Sequence, residues 1–433
     1  MSKTVRRSIR VLIMIFVFSS IGIQASAKDL PFSSKFMPKA GEASVQILKT
    51  DGSAEYNPYY VEYHNGDPAN FHLLGMICDP FIRFETRRNE AGQVISSKYR
   101  MWFSAYQNKA QQGTYEQGIA YAESSDGITW TDPKNRDDDI DLIFAPQGSD
   151  AEKAFYGFNY ETPAIVRHPV NGRYYMYYSG QAQKGEANDD IPYFIGLAVS
   201  DDGITDWTRY GAVFTAKEPW EQPYYDEKKK GYVGGVMEPS VLYDEKTDEF
   251  KMWYAAIGKK DGVWSGRIGY ATSDDGIDWP DDRRRKTPVF VIDQGAWDSS
   301  FVSQTHVIAD PVKGYHLFYA AKSSDETIYA IGHAYSPDGI EWTRNPNNPI
   351  IRNTAQTWHS MMTGGPSAII KDGSLRLWFF GSKEETFARV YFGHTRMAMG
   401  EPRLVPALSS IILPLAASVL VAIGISGLRR IRP

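Results

Sequence analysis

Between roughly residues 70 and 400 the chain is written in short runs that alternate apolar and polar positions, and the runs recur in a fixed order. An aromatic run appears five times: Tyr99-Arg100-Met101-Trp102-Phe103, Tyr174-Tyr175-Met176-Tyr177-Tyr178, Phe250-Lys251-Met252-Trp253-Tyr254, Tyr315-His316-Leu317-Phe318-Tyr319 and Leu375-Arg376-Leu377-Trp378-Phe379-Phe380. Each is preceded by an apolar run, often opened by proline: Pro80-Phe81-Ile82, Pro163-Ala164-Ile165-Val166, Pro239-Ser240-Val241-Leu242, Val307-Ile308 and Pro366-Ser367-Ala368-Ile369-Ile370. A third run follows, as in Gly118-Ile119-Ala120-Tyr121-Ala122 or Ile268-Gly269-Tyr270-Ala271-Thr272, and then a short apolar one such as Leu142-Ile143-Phe144 or Pro288-Val289-Phe290-Val291. Alternation at period two marks half-buried β-strands.

Four of the five units close on the same phrase, with Ser124-Ser125-Asp126-Gly127-Ile128-Thr129-Trp130 as the first copy and the later ones ending at Trp207, Trp279 and Trp342. The tryptophans lie 77, 72 and 63 residues apart, a period that holds a small sheet. Asp-Gly between two strand-like runs predicts a hairpin turn of the primed type, which needs positive φ. Repeats are read before any single motif. Five units of about four strands predict an all-β protein, a five-bladed β-propeller of four-stranded antiparallel blades. The fifth unit lacks the phrase and runs on into Val390-Tyr391-Phe392-Gly393-His394, so a strand from elsewhere must complete it, and the segment Ala43–Leu48 is the candidate.

Both ends of the chain read as addresses. Lys3, Arg6, Arg7 and Arg10 precede the apolar run Val11–Ile23, and Ala25-Ser26-Ala27 fits a cleavage site, so residues 1–27 read as a secretory signal peptide. Ala407–Leu428 is an apolar stretch of 22 residues closed by Arg429, Arg430 and Arg432, long enough to span a bilayer with the arginines in the cytoplasm. The expected division is therefore a signal peptide, a propeller over 28–403 and a tail over 404–433. This tail resembles the bacterial PEP-CTERM sorting signal through Val405-Pro406-Ala407, the apolar run and Arg429-Arg430, although Pro-Glu-Pro is absent. That resemblance implies a sorting protease; a plain membrane anchor is the alternative.

Removing both addresses takes 7 of 47 basic residues and none of 52 acidic ones, leaving the exported part at −12 and unsuited to nucleic acid. Cys78 is the single cysteine, which excludes an intramolecular disulfide. A small buried residue suits it better than a nucleophile. The 14% aromatic content agrees with sugar binding and equally with strand packing.

In a propeller the innermost strands line a funnel, so residues that open those strands converge although they are far apart in sequence. Aligned on their aromatic runs, the five units place Asp79, Thr162, Glu238, Gln304 and Gly365 at equivalent positions. Asp79 and Glu238 offer two carboxylates across the funnel. Glu161 sits one residue out of register, and points away unless its strand bulges. Here the chain resembles the five-bladed glycoside hydrolases of the arabinanase and xylosidase family, and more loosely those of the invertase and levanase family. The resemblance rests on unit number, the Ser-x-Asp-Gly-Ile-x-Trp turns and the acidic-Pro openings.

It implies a base or nucleophile at Asp79, a general acid at Glu238 and an orienting, pKa-tuning acid at Glu161. The chain departs from that pattern with Glu-Thr-Pro in unit two, and it lacks the Asn-Asp-Pro-Asn and Arg-Asp-Pro signatures of the invertases. Cleavage needs one carboxyl held protonated and another ionised, with each acid alternatively a rim or capping group. The turns are also similar to the sialidase Asp-box but one residue shorter, and their role there is structural.

Around the carboxylates, Trp220, Trp297 and Trp358 are expected either to stack on sugar faces at the rim or to pack blade edges. His306 and His359 open units four and five, where each either serves as a core residue, meets a sugar hydroxyl or helps hold a structural cation such as calcium. No cofactor is required. The expected function is an exported, membrane-tethered glycoside hydrolase acting on an extracellular poly- or oligosaccharide; the alternative is a non-catalytic carbohydrate-binding or scaffold propeller.

Overall fold

Strand follows strand in antiparallel meanders, five times over. After a two-residue β1 (Val45–Gln46), the first meander is β2 (Ile77–Arg88), β3 (Val94–Lys109), β4 (Thr114–Ser124) and β5 (Leu142–Phe144). The second is β6 (Asn159–Arg167), β7 (Tyr174–Ala182), β8 (Ile191–Ser200) and β9 (Thr208–Phe214). A small hairpin, β10 (Tyr224–Asp226) and β11 (Gly231–Val233), precedes the third, β12 (Gly235–Asp244), β13 (Glu249–Lys260) and β14 (Val263–Ser273). The fourth is β15 (Phe301–Ala309), β16 (Tyr315–Lys322), β17 (Ala330–Ser336) and β18 (Thr343–Arg344), and the fifth β19 (Met362–Lys371), β20 (Ser374–Ser382) and β21 (Tyr391–Ala398).

The computed structural model describes residues 45–46, 77–109, 114–130, 142–146, 159–182, 191–226, 231–260, 263–310, 314–323, 329–352, 359–382 and 390–398, all within the unit Pro38–Ala398. The segment 1–27 expected to be a signal peptide, the C-terminal tail 404–433 and Trp358 lie outside the described residues. Among the described residues there is no α-helix, and none long and apolar enough to cross a membrane.

The strand pattern places the units as the periodicity predicts. The expected completing strand is present, since β1 pairs with β21 through Val45 with His394 and Gln46 with Gly393. The first strands pack on one another in chain order, β2 on β6, β6 on β12, β12 on β15 and β15 on β19, and β19 also packs on β2. No sheet of the described residues closes on itself through hydrogen bonds.

The aromatic middle strands form the layers between meanders. Trp102, Tyr177, Trp253 and Trp378 are fully buried, and each donates a hydrogen bond to the glycine carbonyl of an Asp-Gly phrase in another meander. Trp102 meets Gly203 at 2.7 Å, Tyr177 meets Gly276 at 2.6 Å, Trp253 meets Gly339 at 2.7 Å and Trp378 meets Gly127 at 2.7 Å. The equivalent residue of meander four is Phe318, which has no donor, and meander five has no phrase to receive one. The phrase is thus a docking device as well as a turn.

Its geometry differs from the primed hairpin expected. Within each Asp-Gly pair only the glycine has positive φ, from 72° to 82°, while the Asp before it does not; the second copy adds a positive φ at Asp206, just before its Trp. The Asp side chain shapes the turn instead: Asp126 Oδ1 accepts the amides of Ile128 (2.7 Å) and Thr129 (2.8 Å), while Ser124 Oγ accepts that of Gly127 (2.8 Å). A Cβ on Gly339 would meet the Trp253 ring at 2.6 Å, so the close approach also demands glycine.

A second device repeats along the outer edges of the meanders. Arg209 stacks over Phe144 and donates to the Ala145 carbonyl; Arg284 stacks over Phe214 and donates to that of Thr215; Arg344 stacks over Phe290 and donates to that of Val291. Each arginine therefore clasps the preceding meander, combining a cation–π contact with a charge-assisted hydrogen bond.

Candidate active site

The five positions aligned from sequence share one backbone conformation. Asp79, Thr162, Glu238, Gln304 and Gly365 have φ of 50°, 52°, 53°, 49° and 55°. At each the ladder to the neighbouring strand slips, between Cys78 and Phe81, Glu161 and Ala164, Met237 and Ser240, Ser303 and His306, and Gly364 and Ser367. Four of the slips hold a proline or stand beside one, which has no N–H to give the ladder. Left-handed backbone at four non-glycine residues is strained, and such strain gathers at sites whose surroundings fix it.

The surroundings are hydrogen bonds between meanders. Ser104 Oγ donates to Asp79 Oδ2 (3.1 Å) and accepts the Thr162 amide (2.8 Å). Ser179 Oγ, at the matching place on β7, accepts the Glu238 amide (2.7 Å). Ala255 and Ala320 stand at this place on β13 and β16, and there the acceptor moves to the strained residue's own side chain. Glu238 Oε2 accepts the Gln304 amide, and Gln304 Oε1 accepts the Gly365 amide at 2.9 Å.

The residues around the slips line one narrow throat: Asp79, Thr162, Glu238, Gln304, Thr305, His306 and Gly365 with their prolines. Asp79 and Glu238 are half-buried there, and Glu161, next in chain to the lining residue Thr162, is half-buried as well. Burial raises Asp79 to about 6 against hydrogen bonds from Cys78 and Ser104. Glu161 rises to about 7, through burial and then the charge of Asp79. Glu238 rises to about 8 by burial, opposed by the Gln304 amide and aided by the charges of Asp79 and Glu161. Three desolvated carboxyls, two in the throat and Glu161 beside it, that feel one another's charge titrate as a coupled set.

Glu161 is the residue whose register pointed elsewhere. The slip between Glu161 and Ala164 lets it share the field of Asp79, while Gln117 Nε2 donates to its Oε2 at 2.9 Å and Tyr193 also bonds it. Tyr329 stands near Glu238, whose charge helps burial raise the phenol to about 12. Sequence reasoning singled out neither tyrosine; each sits where a third strand begins, with no local signal.

The remaining candidates fall elsewhere or are already engaged. Trp220 stacks on Tyr254 and donates to the Lys286 carbonyl, and Trp297 stacks on Tyr319; both pack at meander edges. Their neighbours Glu221 and Asp298 explain the placement. Glu221 bonds the Tyr254 hydroxyl and Arg284, and Asp298 bonds the Tyr319 hydroxyl and Arg344, so each Trp-acid pair seats the clasping arginine. His306 lines the throat but its Nε2 meets the Ala368 carbonyl at 3.1 Å, and burial lowers it to about 4. Buried His359 bonds Thr363 through Nδ1 and is likewise lowered to about 4. Among the described residues no three His, Cys, Asp or Glu side chains gather as a metal site. Cys78 is buried and its thiol is pushed well up by burial, then by Asp79, so it is no thiolate.

A wider cavity of about 770 Å³ opens at the other end of the same first strands, between residues such as Phe84, Ile165, Val241 and Ile308. Arg83 at its wall is engaged by Glu85 (3.2 Å) and the Ile165 carbonyl (3.1 Å). The carboxyl cluster belongs to the narrow end.

No protein-family model matches the chain, and no curated protein matches its sequence. Solved structures do match. One, a complex of BT0996 with RGII, superposes with a TM-score of 0.55 at 18% identity, covering 80% of this chain and 93% of that one. A thermostable family-43 glycoside hydrolase gives 0.53 at 16%, covering 77% and 95%. A structure from the GH130 family of mannoside phosphorylases, which contains hydrolases targeting β-1,2 mannosidic linkages, gives 0.52 at 19%, covering 84% and 97%. This chain has the fold of the propeller glycoside hydrolases. At such identity the likeness is one of fold, and what the throat can do rests on its own carboxyls.

Proposed function

We propose that the protein is a five-bladed propeller glycoside hydrolase, with its site at the throat where the five first strands begin. The observation that carries this reading is the placing of Asp79 and Glu238 at equivalent strained positions in one throat, with Glu161 beside it and coupled to both by charge, where burial pushes the three pKa values up to different extents. Pairs of titratable groups pushed apart in this way mark acid and base roles.

At neutral pH Glu238, raised to about 8, holds its proton and acts as general acid toward the glycosidic oxygen. Asp79, at about 6, is ionised and either attacks the anomeric carbon or activates water. Glu161 sets the field between them. As the bond to the leaving oxygen breaks, the proton passes from Glu238 to that oxygen, while the charge of Asp79 offsets the positive charge developing on the sugar. Tyr193 and Tyr329 border the carboxyls and suit a polyhydroxylated ligand.

The substrate class is an oligo- or polysaccharide. Export by the N-terminal peptide, followed either by anchoring through Ala407–Leu428 or by removal of the tail by a sorting protease, completes the proposal and puts the substrate outside the cytoplasm. One observation favours a second reading, a carbohydrate-binding propeller without turnover: Thr162 occupies the equivalent position in meander two, and the acid there is displaced to Glu161. Hydrolysis of aryl glycosides and polysaccharides by the parent and by Glu238→Gln, with affinity measured on the same sugars, separates the two. Sugar release that the variant loses supports the enzyme; affinity without release supports the binding module.

A further inference from the structure

The two carboxyls that carry the proposed chemistry are joined by one residue of meander four. The Gln304 amide N–H donates to Glu238 Oε2. Its side-chain Oε1 accepts the Gly365 amide at 2.9 Å, which fixes which way the terminal amide faces. Nε2 must then turn to the opposite side, where it lies 3.5 Å from Asp79 Oδ1. A single glutamine thus meets Glu238 with its backbone and Asp79 with its side chain.

Meander five is cut back to admit it. Where the others carry Cys78-Asp79, Glu161-Thr162, Met237-Glu238 and Ser303-Gln304, this one carries Gly364-Gly365. A Cβ on Gly364 would lie 2.3 Å from Gln304 Oε1, and one on Gly365 would lie 3.0 Å from the Asp79 Cα. The Gly-Gly step is therefore the seat of the glutamine amide and lets meander four reach meander one.

We infer that Gln304 is a positioning residue, seated in the gap left by Gly364 and Gly365, that holds Asp79 and Glu238 in one hydrogen-bonded chain and keeps the Asp79 carboxylate in its ionised form. An N–H aimed at a carboxylate favours its charged state, so losing it raises the carboxyl's pKa. The part it plays in turnover rests on the glycosidase reading, whereas the hydrogen-bonded chain does not.

The test uses the purified full chain, labelled with ¹³C at aspartate carboxyls, with the Asp79 signal assigned by its loss in Asp79→Asn. Gln304→Glu keeps an acceptor for Gly365 but gives Asp79 no donor and adds a like charge. Gly364→Ala pushes the amide away while leaving every carboxyl in place. In either variant with the parent's melting temperature, the Asp79 midpoint moves up by roughly one pH unit, and the acid limb of kcat/KM moves with it. An unmoved midpoint in a folded variant overturns the inference, whatever the turnover. A moved midpoint in the variants, with no sugar released by the parent itself, upholds the hydrogen-bonded chain and rejects the glycosidase reading.

Discussion

Trp378 in the last meander donates its indole N–H to the carbonyl of Gly127 in the first, across 2.7 Å and in the protein interior. This bond joins residues 251 positions apart and ties the beginning of the repeat series to its end. Trp378→Phe keeps most of the ring but leaves a buried carbonyl unpaired, at about 1–3 kcal/mol. The urea midpoint should fall accordingly with an unchanged slope; an unmoved midpoint would show that the tie contributes nothing.

Arg284 and Glu221 are both buried and paired at 2.6 Å, with the arginine also over Phe214. Arg284→Met leaves Glu221 without its cation and should cost about 3–5 kcal/mol. Adding Glu221→Gln removes the stranded charge and should recover a large part of that loss. Equal destabilisation in the single and double variants would count against a stranded charge as the cause.

The throat carboxyls should make the protein less stable as pH rises. Their folded pKa values of about 6, 7 and 8 lie above the ordinary 3.8 for Asp79 and 4.5 for Glu161 and Glu238. Between those limits the native state binds more protons than the unfolded chain, so stability falls through the window from about pH 4 to 8. Glu238→Gln should therefore raise the melting temperature at pH 8 and change it little at pH 4. A gain of equal size at both would reject the shifted carboxyl. Asp202 acts oppositely: backbone amides of Thr205 and Ile204 outweigh burial and hold it at about 2, so its contribution is full above the ordinary value and lost as pH falls through about 2.

Glu161 adds negative charge near Glu238 and helps raise it. Glu161→Gln should shift the alkaline limb of the pH profile toward lower pH by a few tenths of a unit or more, and lower kcat about 10-fold or more. A lower rate with an unshifted limb would leave Glu161 a structural part.

The repeat order, the completing strand and the equivalence of Asp79, Thr162, Glu238, Gln304 and Gly365 were legible because alternation and turn residues act locally. The bulge beside Glu161, which leaves it within reach of the Asp79 charge, was not legible, since a slip in register depends on the partner strand. Trp220 and Trp297 carried an ambiguous signal, aromatic residues in crossing segments; the acid following each one decides it, and only when Arg284 and Arg344 are seen opposite. Gln304 was aligned from sequence, yet its reach toward Asp79 shows only with the space left by Gly364. The buried Asp310–His316–His333 chain, at 2.9 and 2.8 Å, likewise has no spacing that announces it.

The central claim is that Glu238 is the proton donor of a glycosidase. Sugar release from a panel of aryl glycosides and plant or bacterial polysaccharides, by the parent and by a folded Glu238→Gln, tests it most directly. The account predicts turnover by the parent and its loss by about 10²-fold or more in the variant, with least loss for aryl leaving groups that need no proton. Turnover retained in Glu238→Gln, or none by the parent on any sugar it binds, would contradict it.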